Sequence, residues 1–235
     1  SLRDTMSFIV ILAIILLIIW MIKECRELHQ FNYEGQIKEL QSANKIVIGE
    51  KLKDKNPLLV HNVIVPSVTI QEILQQNPGY IIKDSDKMIL LDTFKDKDMS
   101  VYKSRSLFQE LGYAQDLLKL SLPFETYMNC HKHGYLSFYK GYHTIAKERA
   151  THNLNLLSVL SGSAIIYLIN PKHGEEIDGL SNDTLKKWSH KVALKPGSIL
   201  SVPSEWYYFY ECKGEVVMYN YESDIYGTYL YNLLR

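Results

Sequence analysis

The sequence predicts a mainly β domain with flanking helices, carried behind a single apolar transmembrane helix. Three observations lead there. An uncharged run near the amino terminus has the length of a bilayer span, and the middle of the chain carries helix-capping signals. From Tyr135 onward, short aromatic and β-branched segments alternate with turns. The 235 residues are 46% apolar, enough for a substantial core, and suit one domain with an appendage. Lys plus Arg number 26 and Asp plus Glu 26. A protein that tracks phosphates carries a basic surplus, so no nucleic-acid partner is expected.

The amino-terminal run is "MSFIVILAIILLIIWMI", Met6 to Ile22, without a charge. At about 1.5 Å per residue its seventeen residues reach roughly 25 Å, the short end of a hydrocarbon core. Phe8 and Ile15 would face lipid, Trp20 stands where an interfacial aromatic belongs, and Lys23, Glu24 and Arg26 end the run. A cleaved signal peptide would want small residues after its apolar core, and "KECRELHQ" has none. The lipid bilayer is therefore the first expected partner, through residues 6–22, and the localisation is a single-pass membrane protein. Basic residues flank both ends, so the side of the soluble domain stays open. The chain opens on Ser1 and not on methionine, so residues upstream of it are allowed for.

Residues 1–27 thus read as the anchor, 28–55 as a helical stalk or linker and 56–235 as the folded domain. "NPLLVHNVIV" (Asn56–Val65) is a strand candidate. In "PSVTIQEILQQNPG", Thr69 is an N-cap with Glu72 as its capping-box partner and Asn77-Pro78-Gly79 as the stop. "YIIKD" and "MILLD" follow as strands, and "SRSLFQELG" and "AQDLLKL" as helices parted at Gly112. Then come "YLSFYKGY", "LNLLSVLSG", "AIIYLIN", "KWSHKVAL", "SILSVPS", "WYYFYEC" and "EVVMYNYES", a spacing that favours an antiparallel sandwich or barrel. Cys25, Cys130 and Cys212 are too scattered for a disulfide framework or a zinc site and read as reduced thiols, with palmitoylation of Cys25 open. "CHKH" (Cys130–His133) reads as a solvated loop, although His131 and His133 would share one side of a strand. The sequon Asn182-Asp183-Thr184 matters only in a lumen.

The segment "KPGSILSVPSEWYY" places Gly197 and Pro203 around a strand, a hairpin device that aims the next side chains inward. It resembles the second motif of the cupin superfamily. "NLLSVLSGSAIIYLINP" (Asn155–Pro171) and the "PSEWYY" run similarly resemble Jumonji-C and asparaginyl-hydroxylase-like cupins. The likeness spans roughly Asn56 to Glu222 and implies a double-stranded β-helix (cupin or jelly-roll) domain. Such proteins are Fe(II)/2-oxoglutarate oxygenases with a His-x-Asp/Glu pair and a distal histidine, a facial triad that leaves open metal positions. Carried over residue by residue, the three ligand positions are Arg149, Thr151 and Tyr208, and the co-substrate positions are Ala146 and Ala164. None can do the family's work, because a guanidinium cannot ligate Fe(II) and threonine replaces a carboxylate poorly.

The resemblance therefore implies a catalytically inactive, 2-oxoglutarate-oxygenase-like pseudoenzyme with no cofactor, serving as a structural or protein-interaction module. The tyrosines of the carboxy-terminal region would give a protein partner its surface, with Tyr208 and Tyr210 on the inner face of their strand. A large DNA virus, with AT-rich coding and a membrane beneath a protein shell, would be a natural setting. The alternative is an active oxygenase holding Fe(II) and 2-oxoglutarate through a displaced set drawn from His143, His152 and His190. A metal-free ligand pocket is the third reading.

Overall fold

The computed structural model describes residues 2–29, 35–84, 87–126 and 128–234. Helix α1 (Leu2–His29) contains the apolar run, and Thr5–Lys23 within it is long and apolar enough to cross a membrane. Phe8 and Ile15 are exposed along it, while Trp20 is half-buried. Of the segment expected to be a stalk, residues 35–55 are built into the domain. Strand β1 (Lys38–Leu40) pairs parallel with β2 (Leu58–Val60), and between them lies α2 (Lys45–Leu52), capped by the Asn44 side chain. Only three residues of the Asn56–Val65 candidate pair as a strand.

Next come α3 (Ile70–Gln76), the hairpin β3 (Ile81–Asp84) and β4 (Lys87–Leu90), β5 (Met99–Ser104), α4 (Arg105–Glu110) and α5 (Ala114–Leu118). The capping box on α3 forms as its sequence dictates: Thr69 Oγ1 accepts from the Glu72 amide and the Glu72 carboxylate accepts from the Thr69 amide.

The rest is mostly strand: β6 (Asn129–Lys140), β7 (Tyr142–Thr144), β8 (Glu148–Arg149), β9 (Leu154–Ser161) and β10 (Ala164–Ile169). After the short α6 (Asn182–Leu185) come β11 (His190–Leu194), β12 (Ile199–Val202), β13 (Tyr207–Lys213), β14 (Val216–Ile225) and α7 (Tyr226–Leu234). Helix α7 contacts α1, so the last carboxy-terminal tyrosines, Tyr226, Tyr229 and Tyr231, lie on a helix beside the apolar one. The Asn182 amide of the sequon donates to the Ile145 carbonyl and opens α6.

A seven-stranded sheet has the order β1-β2-β12-β9-β14-β6-β5 and a second sheet the order β11-β10-β13-β7, with β8 also on β13. From β6 to β14 the chain passes back and forth between them: β6, β9, β12 and β14 belong to the large sheet, and β7, β8, β10, β11 and β13 to the small one. Apart from β1 with β2, these pairings are antiparallel. Glycine permits the tight β9–β10 connection. Gly162 has φ +79, and a Cβ there would stand 2.3 Å from the Glu215 carbonyl oxygen.

Apolar side chains fill three layers. Between the sheets pack Tyr139, Leu157, Ile166, Trp206, Tyr210 and Met218. Behind the large sheet, Phe138, Leu156 and Tyr219 meet Ile48, Ile73 and Phe108 of the helices. Outside the small sheet, Tyr167 and Phe209 stack at 4.8 Å over Ile177 and Leu185. Covered on both faces, β9 reads as a nearly continuous buried run rather than an alternating one. Each such fully buried aliphatic or phenyl side chain contributes about 1.5–3 kcal/mol relative to exposure.

Candidate functional site

The site begins with a bulge. Between Val101 and Ser104 the register of β5 against β6 slips, and Lys103 adopts φ +45, a left-handed conformation unusual for lysine. Its amide donates to Ser137 Oγ (2.9 Å), which in turn donates to Asn220 Oδ1 (3.1 Å). The turn sends the Lys103 side chain into a cavity of about 270 Å³, lined also by Glu148, Arg149, Thr151, His152, Tyr208 and Glu222.

The Lys103 ammonium is the hub. It donates to Glu222 at 2.7 Å, to Glu148 at 3.0 Å and to the Tyr208 hydroxyl at 3.2 Å, and it lies within 6 Å of the Tyr102 and Tyr208 ring centres, at 5.4 and 5.9 Å. Tyr208 in turn donates to Glu148 at 2.7 Å. A second group adjoins it. His152 faces Asp224 through Nδ1 at 2.8 Å and Glu222 through Nε2 at 3.4 Å, and Asp224 also accepts from the Asn153 amide. Arg149 pairs with Glu205, whose amide donates to the Ala150 carbonyl.

Lys103 and Arg149 thus pair with three carboxylates, Glu148, Glu222 and Glu205, and His152 faces a fourth, Asp224. Burial disfavours the Lys103 ammonium, but Glu222 and Glu148 overcome it and hold its pKa above the usual lysine value. Burial likewise opposes the Glu148 carboxylate, yet Lys103 and the Tyr102 and Tyr208 hydroxyls keep it below its ordinary range. Against its own burial, His152 is raised by the hydrogen bond to Asp224 and the charge of Glu222. Burial and Glu148 push the Tyr208 phenol well up, so it stays a neutral donor.

Of the positions singled out in the sequence, Arg149, Thr151, Tyr208 and His152 line this one cavity. The others lie elsewhere. Ala164 is buried on β10 opposite Cys212 and Leu194, and Ala146 is exposed between β7 and β8. His143 bonds the Lys140 carbonyl, and His190 pairs with Leu168 with its ring 6.4 Å from that of Trp206. A displaced set of His143, His152 and His190 is therefore not brought together. Among the described residues, no three or more His, Cys, Asp or Glu side chains are grouped to hold a metal ion.

"CHKH" is strand and not solvated loop. Where the register against β14 shifts between Glu222 and Asp224, β6 carries the extra residue; His131 there takes φ +46, and its Nε2 comes 2.8 Å from Nε2 of His133. Burial, His131 and Arg105 lower the His133 pKa. Cys130 and Cys212 are free thiols, with Cys212 pushed up to about 12 by burial, and the Cys25 side chain lies outside the described residues.

Sequence reading missed Lys103, Glu148, Glu222 and Asp224. Lys103 carries no sequence signal, because a left-handed lysine at a bulge is a tertiary outcome. Glu222 and Asp224 did carry one: two carboxylates spaced by two at the end of the buried strand "EVVMYNYESD". No protein-family model matches the chain, and no curated protein matches it.

Proposed function

We propose that the protein is a membrane-anchored, cupin-like domain of the Jumonji-C type whose oxygenase centre has become an ion-paired plug, and that it works as a structural or protein-interaction module. The support for a double-stranded β-helix is the path of the chain: with β7 and β8 serving as one, eight stretches from β6 to β14 cross between two facing sheets at every step except β10 to β11, which pair within the small sheet. The observation that carries the functional reading is the Lys103 ammonium, held by Glu222, Glu148 and Tyr208 among the residues at the family's ligand positions.

Fe(II) does not fit this donor set. The Arg149 guanidinium cannot ligate and is paired with Glu205, Thr151 offers no carboxylate, and the Tyr208 hydroxyl is donated to Glu148. The two nearest carboxylates already neutralise a fixed cation, which delivers the charge without a metal. Tyr139 and Tyr210, whose hydroxyls meet at 2.7 Å, fill the space between the sheets. In this reading Thr5–Lys23 is the bilayer anchor, and exposed aromatics such as Tyr226, 59% exposed, offer contact area to a protein partner.

The test is iron content and 2-oxoglutarate titration of the full chain in lipid nanodiscs. The expected result is trace iron and no saturable heat. Stoichiometric Fe(II) with micromolar 2-oxoglutarate binding would sink the proposal. A Tyr208→His change by itself should leave both measurements unchanged, since Arg149, Thr151 and Lys103 remain.

A further inference from the structure

A second, larger cavity of about 870 Å³ lies outside the two-sheet core. One face of α2 forms its wall, with Lys45, Gly49, Leu52 and Lys53 at positions that stack along a helix. Phe124, Leu154, Pro203 and Ile225 contribute apolar surface, and Phe124 and Leu154 are each only 3% exposed. The volume lies within the range of small-molecule sites, which are apolar chambers with a few polar groups at fixed places.

The charge is one-sided. Lys45 and Lys53 are solvent-exposed and, among the described residues, make no ion pair, and Lys55 joins them in the lining. The one acidic side chain of the lining, Glu125, is already spent: Lys132, Ser121 and Tyr221 bond its carboxylate, which lies below its ordinary range, opposed by burial but lowered by those partners. Apolar walls with Lys45 and Lys53 at the rim fit a ligand having an apolar chain and an anionic head. The location supplies a source. Ile225 of the lining is the last residue of β14, the next residue starts α7, and α7 contacts the apolar α1.

We infer that this cavity binds a single-chain anionic lipid, its chain among Leu52, Phe124, Leu154 and Ile225 and its head group at Lys45 and Lys53. A glycine on α2 leaves the room. A Cβ at Gly49 would meet nothing within 4 Å, so a larger side chain there can occupy the cavity without a clash.

The experiment uses the full chain in nanodiscs with a diazirine-bearing C18 fatty acid, photolysis and peptide mapping. Adducts on α1 are expected from bulk lipid and serve as an internal control. Adducts at residues 45–53 or 123–129 report the cavity. Gly49→Phe should abolish the cavity adducts and leave those on α1. Lys45→Glu with Lys53→Glu should reduce the cavity adducts by about fivefold or more, while a neutral diazirine alcohol of equal length is unaffected. Oleic acid and oleoyl lysophosphatidic acid are the competitors, and the stronger one identifies a carboxylate or a phosphate head. Adducts confined to α1, cavity adducts that survive Gly49→Phe, or equal competition by neutral monoolein would each overturn the inference. Because Gly49→Phe could also disturb α2, the lysine pair provides the independent arm.

Discussion

The Lys103 ammonium and the Glu148 and Glu222 carboxylates are too sheltered to stand unpaired, with side-chain exposures of 18%, 31% and 13%. Removing one member strands the others, the costly way to break a partly buried pair. Lys103→Met should therefore lower unfolding stability by about 3 kcal/mol in urea denaturation, and adding Glu148→Gln and Glu222→Gln should recover most of it. An additive loss across the three changes would contradict the hub. Tyr208→Phe, which deletes one donor to Glu148, should cost only about 1 kcal/mol.

The pH dependence has two limbs. The lowered Glu148 carboxyl stabilises above its unfolded value of about 4.3, and that contribution is lost as pH falls through the folded one. The raised His152 imidazole stabilises fully below its unfolded value of about 6.5, and its contribution fades as pH rises through the folded one. Melting temperature should peak between the two, with the alkaline limb flattened in His152→Gln. At this scale the sequence was half legible. Tyr208, Arg149 and Thr151 were singled out through the cupin resemblance, and the fold brings the three to one cavity. Lys103 was not, since no local rule places a lysine at φ +45.

Elements were more legible than residues, because periodicity and caps are local. The α3 capping box and the β9-to-β14 series follow from their own sequences. Removing the cap by Thr69→Ala should cost about 1 kcal/mol, read as a shift in urea midpoint at unchanged slope. Gly162→Ala should cost more, since the left-handed φ and the close Glu215 carbonyl act together, and the soluble yield should fall with it. Where the reading failed, the cause was contact across the fold. Strand β1 is three residues long and exists through its pairing with β2, so a polar stretch that looked like a stalk became sheet. The histidines of "CHKH" looked like a loop because the bulge they form in β6 is defined only by pairing with β14, distant in the chain.

At the scale of the molecule, the two sheets share one filled interior; α2, α3 and α4 back the larger sheet, and Leu185 of α6 with Ile177 covers part of the smaller one. Cavities consequently open at the margins of the core, one at the Lys103 hub and one beneath α2. The two are independent in composition, so Gly49→Phe should leave the pH profile of melting unchanged. The path from α1 into the domain also has a mechanical side. A pull on α1 enters the fold by two routes: along the chain into β1, a three-residue strand at the sheet margin, and through the α1–α7 contact into β14, whose neighbours on both sides are long strands. Strain on the first route alone would peel an edge. With α7 engaged, the load is shared with the centre of the sheet, so truncation before Tyr226 should lower the force at which the tethered domain yields.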